Sequence, residues 1–466
     1  MSFELTPFQR PAYERLLKQR RHGVAYEMGL GKTVVAVRAL YDLVQAHKIE
    51  KVLILCPRNA IGVWEDHIND WFEGLDEQTG RATRTPFVIH RWRKKQHHAE
   101  GRRALWQLST SSLASPVLDV YITTYEGFIR DVGHFRTPDV VILDEAKRIR
   151  SRKSKAFEAL RPLLRNRDLY FWPMTGTPGK TPGDFFTMFH LMDHRYFSSY
   201  WKFVGAFSYT QALPWGGIEI LGFKNEHQWH TLLKTKFSFL SKKQVGKLPV
   251  RRQLLKIEMD QVQRSHYQPL VDEMMVVTDD KIILASTTLV QTLRLRQLLV
   301  CPKLLDRALP SYGAAIEDLI DTIEDCDPNV AIFCPFTEAF PFFRERLRLA
   351  GYPDVPTLQG GITPEEQAAA IKSFRTSRGP ILCSILYAQA FSLEPASRGF
   401  FVGYDFDTES NRQAEGRLDR LTTTYPVNIY YYAYEDTYDA RMCEIVNVKQ
   451  QMINRTMPLD KIGVKF

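Results

Sequence analysis

The amino-acid sequence predicts an α/β protein: two parallel-sheet lobes in tandem, with helical insertions between them. Three observations carry that expectation. Residues 51–176 alternate amphipathic stretches with short apolar runs: KVLILC (51–56), PFVIH (86–90), DVYITT (119–124), DVVILDE (139–145) and LYFWPMTG (169–176). The pattern returns in NVAIFC (329–334), VPTLQ (355–359), PILCSI (380–385), GFFVGY (399–404) and VNIYYYAY (427–434). Continuous apolar strands separated by helices form parallel sheets covered on both faces. Right-handed crossovers make each such half a doubly wound layer. Between the two halves the texture changes to aromatics, Lys and Arg, with helical patterns such as HYQPLVDEMMVV and TTLVQTLRLRQLL. The expected division is 1–190 for the first lobe, 191–300 for helical insertions and linker, 301–440 for the second lobe, and 441–466 for a C-terminal helix and tail.

A chain of 466 residues is too long for one core, so two or three domains are expected. The formal net charge of +9 favours a polyanionic partner. Six cysteines are scattered without a C-x-x-C pair, which argues against a zinc site or disulfide frame and fits a reducing compartment. MSFELTPFQR has no apolar stretch, so no signal peptide is expected. No run reaches the roughly 18–20 apolar residues of a membrane span, and no membrane partner is expected.

The first chemical motif is EMGLGKT (27–33). It follows the β-prone GVAY (23–26) and opens TVVAVRALYDLVQAHK (33–48), whose apolar residues recur at helical spacing. Gly29 and Gly31 permit backbone conformations that turn N–H groups toward an anion at a helix N-terminus. Lys32 can reach terminal phosphates, and the Thr33 hydroxyl can ligate Mg2+. Tyr26 holds the first position of G-x-x-x-x-G-K-[ST], so the strict pattern is not met, and a plain glycine-rich turn is the alternative.

DVVILDEAK places Asp144 and Glu145 just past a buried strand, where ligands of open α/β sheets bind. Such a pair suits Mg2+–nucleotide hydrolysis: Asp144 holds the ion and Glu145 orients and deprotonates the attacking water. An acidic helix start is the alternative. MTGTP (174–178) also follows an apolar strand. Its Thr175 and Thr177 can relay hydrogen bonds, or the segment is a Gly-Pro turn. NRQAEGRLDR (411–420) spaces Gln413, Arg417 and Arg420 by four and three, one face if helical. That face can supply arginine fingers, or it can be a solvated surface paired locally with Glu415 and Asp419. Basic runs at 91–103 (with Trp92) and 148–155 fit phosphate contacts or solvated faces.

In this order, the pieces resemble the Snf2 branch of superfamily 2 helicases and translocases, from about Leu5 to Ile445. LTPFQRPAY resembles the adenine-reading segment, with Gln9 at the base. EMGLGKT is the family's form of the cradle. LILCPRNAIGVWEDHI (53–68) and ITTYEGF (122–128) resemble DNA-contacting motifs, and MTGTP resembles motif III. FLSKKQVGKLPVRRQLLKIEMDQVQRSHY (239–267) and LRLRQLLVCPKLL (293–305) resemble the middle region that sets this branch apart. VAIFCPFTEAF, LQGGITPEEQAAAIKSF (358–374) and RQAEGRLDR (412–420) resemble motifs IV, IVa and VI.

The resemblance implies two RecA-like lobes with ATP and Mg2+ between them. Gln9, Met28, Gly29, Leu30, Gly31, Lys32, Thr33 and Gln413 would hold the nucleotide, Thr33 and Asp144 the metal, and Glu145, Lys32, Arg417 and Arg420 would carry the chemistry. It implies a DNA-dependent ATPase acting on duplex or branched DNA. The compact chain looks like a phage or prokaryotic enzyme of replication, recombination or repair, and so a cytoplasmic one. A motor subunit that strips proteins from DNA and a nucleotide-regulated scaffold with little turnover are the alternatives; protein partners are not implied. Two departures stand out. Lys147 replaces the histidine of DEAH. SILYAQAFSLEPAS (384–397) replaces a glycine-rich motif V, with Gln389, Ala390 and Ser392 at glycine positions and Glu394, a charge expected to repel DNA, at an asparagine position.

Overall fold

The computed structural model describes residues 4–72, 87–91, 118–135, 138–176, 179, 181–214, 218–248, 250–277, 282–285, 287–387, 391–420, 423–438 and 440. The chain divides into two compact units between Gly246 and Lys247.

The first unit is built on strands β1 (Gly23–Tyr26), β2 (Lys51–Leu55), β3 (Phe87–Arg91), β4 (Leu118–Thr123), β5 (Val140–Asp144) and β6 (Tyr170–Met174). An antiparallel hairpin, β7 (Ser208–Ala212) and β8 (Ile218–Phe223), precedes β9 (Phe237–Leu240). The sheet order is β3-β4-β2-β5-β6-β1-β9, parallel throughout. β2, β4, β5 and β6 are buried nearly end to end, because their apolar runs face helices on both sides. At the sheet's edge β9 lies in register with β1, Gly23 opposite Phe237. A Cβ on Gly23 would meet the Phe237 ring at 2.1 Å, so only glycine lets that ring lie over the strand. Phe185, Phe189, Phe203 and Trp229, from three helices, pack with Phe237 into one buried aromatic cluster that holds β9 in place.

The second unit carries β10 (Arg251–Ile257), the hairpin β11 (Met275–Val277) and β12 (Ile282–Leu284), then β13 (Val330–Cys334), β14 (Thr357–Leu358), β15 (Ile381–Ser384), β16 (Arg398–Phe401) and β17 (Asn428–Tyr434). Its main sheet, ordered β10-β17-β16-β13-β15-β14, is also parallel. Phe333, Phe401 and Tyr431 stack across three neighbouring strands, with ring centroids 4.7 and 4.5 Å apart.

Both expected parallel sheets are present. The span 191–300, expected as helical insertions, holds helices and also strands of both sheets. β9 belongs to the first sheet and β10 to the second. Residues 441–466 lie outside the described residues, and among those described no helix is long and apolar enough to cross a membrane.

Candidate functional site

In the first unit, β5, β6 and β1 are consecutive neighbours, so their carboxyl ends open on one side. Asp144 pairs in register with Met174, and Met174 with Val24, which sets the acidic pair level with the entry to EMGLGKT. Gly29 and Gly31 have φ of 83° and 77°, the left-handed region that glycine tolerates. Gly31 caps the helix Lys32–Gln45, and Thr33 sits in that helix's first turn. Lys32 Nζ donates to the Tyr26 carbonyl at 3.0 Å. A Cβ on Gly176 would lie 3.8 Å from Lys32 Nζ and 3.9 Å from the Met28 nitrogen, so MTG closes directly on the cradle. Gln9 is buried behind it: Nε2 donates to the Leu30 carbonyl at 3.2 Å, and Oε1 accepts from the Thr6 N–H at 3.1 Å. In this structure, then, Gln9 braces the cradle's backbone. Glu27 ties the other flank, its Oε2 accepting from the Lys242 N–H at 2.7 Å and its own N–H donating to Leu240 at 2.9 Å.

Glu145 is the most unusual residue of the site. It stands in the left-handed region, φ 53° and ψ 53°, a conformation that costs a side-chain-bearing residue about 1–3 kcal/mol. Its Oε2 is a buried acceptor without a hydrogen-bond partner. Native folds rarely strand such an atom, and it fits a water or ligand. Asp144 is held on every side: Trp64 Nε1 donates to Oδ2 at 3.0 Å, the Glu145 N–H to Oδ1 at 3.0 Å, and the Tyr125 hydroxyl to its carbonyl at 2.8 Å. Burial and then the adjacent Glu145 charge push the Asp144 carboxyl up to about 6, opposed by the Trp64 hydrogen bond and the Lys32 charge. The roles of Trp64 and Tyr125 on Asp144 escaped the sequence reading because contacts across 80 and 19 positions leave no spacing pattern. Among the described residues no three His, Cys, Asp or Glu side chains are clustered for a metal. A cation held by Asp144 and Thr33 alone needs further oxygens, as Mg2+ on a nucleotide has from phosphates.

In the second unit the condition for one face, a helix through Gln413, Arg417 and Arg420, is not met. The helix Thr408–Glu415 ends at Gly416, and Arg417 and Leu418 continue it only with tighter bonds back to Ala414 and Glu415. Gln413 is buried in the helix. The two arginines nevertheless converge: Arg417 Nη1 and Arg420 Nη2 both donate to the Phe391 carbonyl. The Arg420 Nε is a buried donor with no partner. Glu394, expected to repel DNA, accepts from the Thr423 hydroxyl at 2.9 Å, and its charge raises the Arg420 pKa that burial lowers. Gln389 and Ala390 lie outside the described residues.

The basic run 148–155 is partly spent on the protein itself. Arg148 pairs with Glu126 at 3.2 Å and covers the Tyr125 ring at 5.7 Å. Arg150 approaches Asp184 at 3.5 Å, and Arg152 stacks on Tyr200 at 3.8 Å. Lys153 and Lys155 are exposed. The side chains of the run 91–103, Trp92 included, and Thr177 lie outside the described residues.

The chain is 23% identical over 457 residues to the CHD3-type chromatin-remodeling factor CHR7 of Arabidopsis thaliana, covering 91% of this chain and 35% of that protein. It is 20% identical over 466 residues to an uncharacterized ATP-dependent helicase of Mycoplasma pneumoniae, covering 96% of this chain and 41% of that one. Among solved structures, the Sulfolobus solfataricus SWI2/SNF2 ATPase core in complex with dsDNA aligns at a TM-score of 0.43 and 16% identity, over 98% of this chain and 97% of that one. The profile of the SNF2-related domain matches residues 15–309. That span is more than half of the sequence and takes in the cradle, the acidic pair and MTGTP: the chain belongs to the SNF2-related domain family.

Proposed function

We propose that this protein is an ATP-dependent DNA translocase or helicase, acting on duplex or branched DNA and remodelling forks or junctions in replication, recombination or repair. The observation that carries the reading is Glu145, held in a strained backbone conformation beside Asp144, with a buried, unpartnered carboxylate oxygen. In this role Glu145 orients a water and takes its proton. Gly29, Gly31 and the start of the helix Lys32–Gln45 receive the phosphates on backbone N–H groups. Lys32 exchanges the Tyr26 carbonyl for a phosphate oxygen. Thr33 and Asp144 would hold Mg2+, which when bound neutralises phosphate charge. Arg417 and Arg420, leaving the Phe391 carbonyl, supply cations to the transferring phosphate. A prokaryotic or phage-infected cytoplasm is the setting this reading supplies.

A second reading, a motor that displaces proteins from duplex DNA within a larger assembly, draws on the matched relatives. This chain spans 35% of a chromatin-remodeling factor. One substrate panel tests both. ATP hydrolysis is measured without DNA and with linear duplex, forked, four-way and protein-blocked DNA. Strand or junction products from the fork and four-way substrates support the first reading, and release of the blocking protein alone supports the second. Equal hydrolysis with and without DNA overturns both.

A further inference from the structure

Tyr125 lies between the exposed basic run and the acidic pair, and the contacts on its two sides differ in kind. On one side its hydroxyl donates to the Asp144 carbonyl at 2.8 Å. On the other, the Arg148 guanidinium covers its ring at 5.7 Å while bonding Glu126, Tyr125's neighbour, at 3.2 Å. Tyr125 is itself buried, so its hydroxyl is committed to the Asp144 carbonyl. Arg148 has a second line to the site, because its backbone N–H donates to the Glu145 carbonyl at 3.1 Å. One arginine thus touches both the tyrosine that holds Asp144 and the turn that holds Glu145 in its strained form. Its own anchor is weak: the Arg148 and Glu126 side chains are 39% and 71% exposed, and such surface pairs are easily exchanged.

We propose that Arg148 is a phosphodiester sensor for the acidic pair, and that Tyr125 is the positioning residue through which it acts. This rests on the translocase reading above. A DNA phosphate competes with Glu126 for Arg148, since a guanidinium pairs with phosphate as it does with carboxylate and the Glu126 pair is exposed. Moving Arg148 off the Tyr125 ring changes how the Tyr125 hydroxyl bears on Asp144 and how the turn from Glu145 to Arg148 is held. Trp64, donating to Asp144 Oδ2 at 3.0 Å, keeps the carboxylate fixed while its backbone responds. The device lies wholly within the first unit. It offers a route from DNA to the acidic pair in a chain where Lys147 stands in place of the DEAH histidine.

The test separates coupling from folding. Tyr125→Phe removes one hydroxyl and keeps the ring under Arg148. Duplex affinity by anisotropy and nucleotide affinity in the absence of DNA are expected within about twofold of wild type. The ratio of DNA-stimulated to basal hydrolysis is expected to fall about tenfold; DNA's effect on nucleotide affinity and the nucleotide's effect on DNA affinity are expected to shrink by the same factor as each other, as linkage requires. Glu126→Gln, which frees Arg148 without DNA, is expected to raise basal hydrolysis a few-fold and lower the stimulation ratio equally. If wild type is not stimulated by DNA at all, the translocase reading falls and the sensor with it. If wild type is stimulated and Tyr125→Phe retains both the full ratio and the full linkage, the sensor alone is overturned. Tyr125→Phe with an unchanged ratio but a lowered melting temperature also overturns it, since the hydroxyl would then serve only the fold.

Discussion

Arg252 closes on Glu415 with two bonds, Nε to Oε1 at 2.9 Å and Nη2 to Oε2 at 2.6 Å, and the Tyr431 hydroxyl donates to the same Oε1 at 2.6 Å. The pair pins the helix that leads into Arg417 onto β10, the first strand after the division between units. Glu415 is therefore not the local partner of Arg417 and Arg420 that the sequence allowed. Removing Arg252 alone strands a buried carboxylate. We expect Arg252→Gln to destabilise the second unit by about 3–5 kcal/mol, and the double change with Glu415→Gln to recover most of that loss. Burial opposes ionisation of Glu415, but Arg252 wins and holds its pKa below the usual value. The unfolded chain then takes up the proton first, so the stability is present above the ordinary carboxylate pKa and lost as pH falls through the folded one. Urea titrations across acid pH are expected to show that limb in wild type and not in Glu415→Gln.

His22 predicts a second pH effect, in the first unit. It is fully buried, bonded to Gln19 and to Ser238 on β9, and burial lowers its pKa to about 3. Below the ordinary histidine pKa the unfolded chain binds a proton that the folded chain refuses. Stability therefore falls as pH drops from the ordinary value toward the folded one, by about 1.4 kcal/mol per pH unit. Relative to His22→Gln, wild type is expected to lose about 2 kcal/mol between pH 8 and pH 5, read from paired denaturation curves.

Arg21 staples two helix ends. Its Nη1 donates to the Leu191 and Met192 carbonyls at 2.7 and 3.3 Å, and Nη2 to Leu164 at 3.0 Å and to Asn166. These carbonyls close the helices Lys155–Leu163 and Pro182–Met192, which leave their last C=O groups unmatched. Arg21→Ala is expected to cost at least about 3 kcal/mol. Arg21→Lys should recover only part, because an ammonium lacks the fork that spans both ends. Thermal melts of the three proteins check the order.

The proposed nucleotide site gives a graded set. Glu145→Gln keeps the strained turn and removes the base, so turnover is expected to fall by about 10²–10⁴ with nucleotide still bound. Lys32→Ala is expected to lose turnover and nucleotide affinity together. Arg417→Ala is expected to bind ATP normally and hydrolyse it poorly. Gly31→Ala would place a Cβ 2.3 Å from Gln9 Nε2 at a φ of 77°, so it should lower nucleotide affinity by dislodging Gln9 from Leu30. Binding isotherms beside steady-state kinetics separate the four.

Strands with unbroken apolar runs, such as β2, β5 and β13, were legible because burial on both faces writes itself into four or five consecutive residues. β10 was not: as an edge strand its RRQLLKI is only partly covered, and its sequence carries charge to match. β9 was hidden as a four-residue FSFL amid basic and aromatic residues. At the site, chemistry that depends on neighbours in sequence was visible, as with Gly31-Lys32-Thr33 and Asp144-Glu145. Chemistry that depends on long-range contacts was not. Trp64 on Asp144, Arg252 on Glu415 and the Phe391 carbonyl under both arginines are products of the fold.

β1 carries the cradle, yet its outer neighbour is β9, more than two hundred residues later, and the Glu27 N–H bonds to Leu240 at that strand's end. During synthesis the ribosome therefore releases the cradle long before it can be finished. Until β9 arrives, β1 is a bare edge with unmet N–H and C=O groups, and the aromatic cluster around Phe237 stays open. A fragment stopped near residue 190 would expose that edge permanently and should aggregate in the cell. A fragment running through Gly246 should emerge as a folded, nucleotide-binding body.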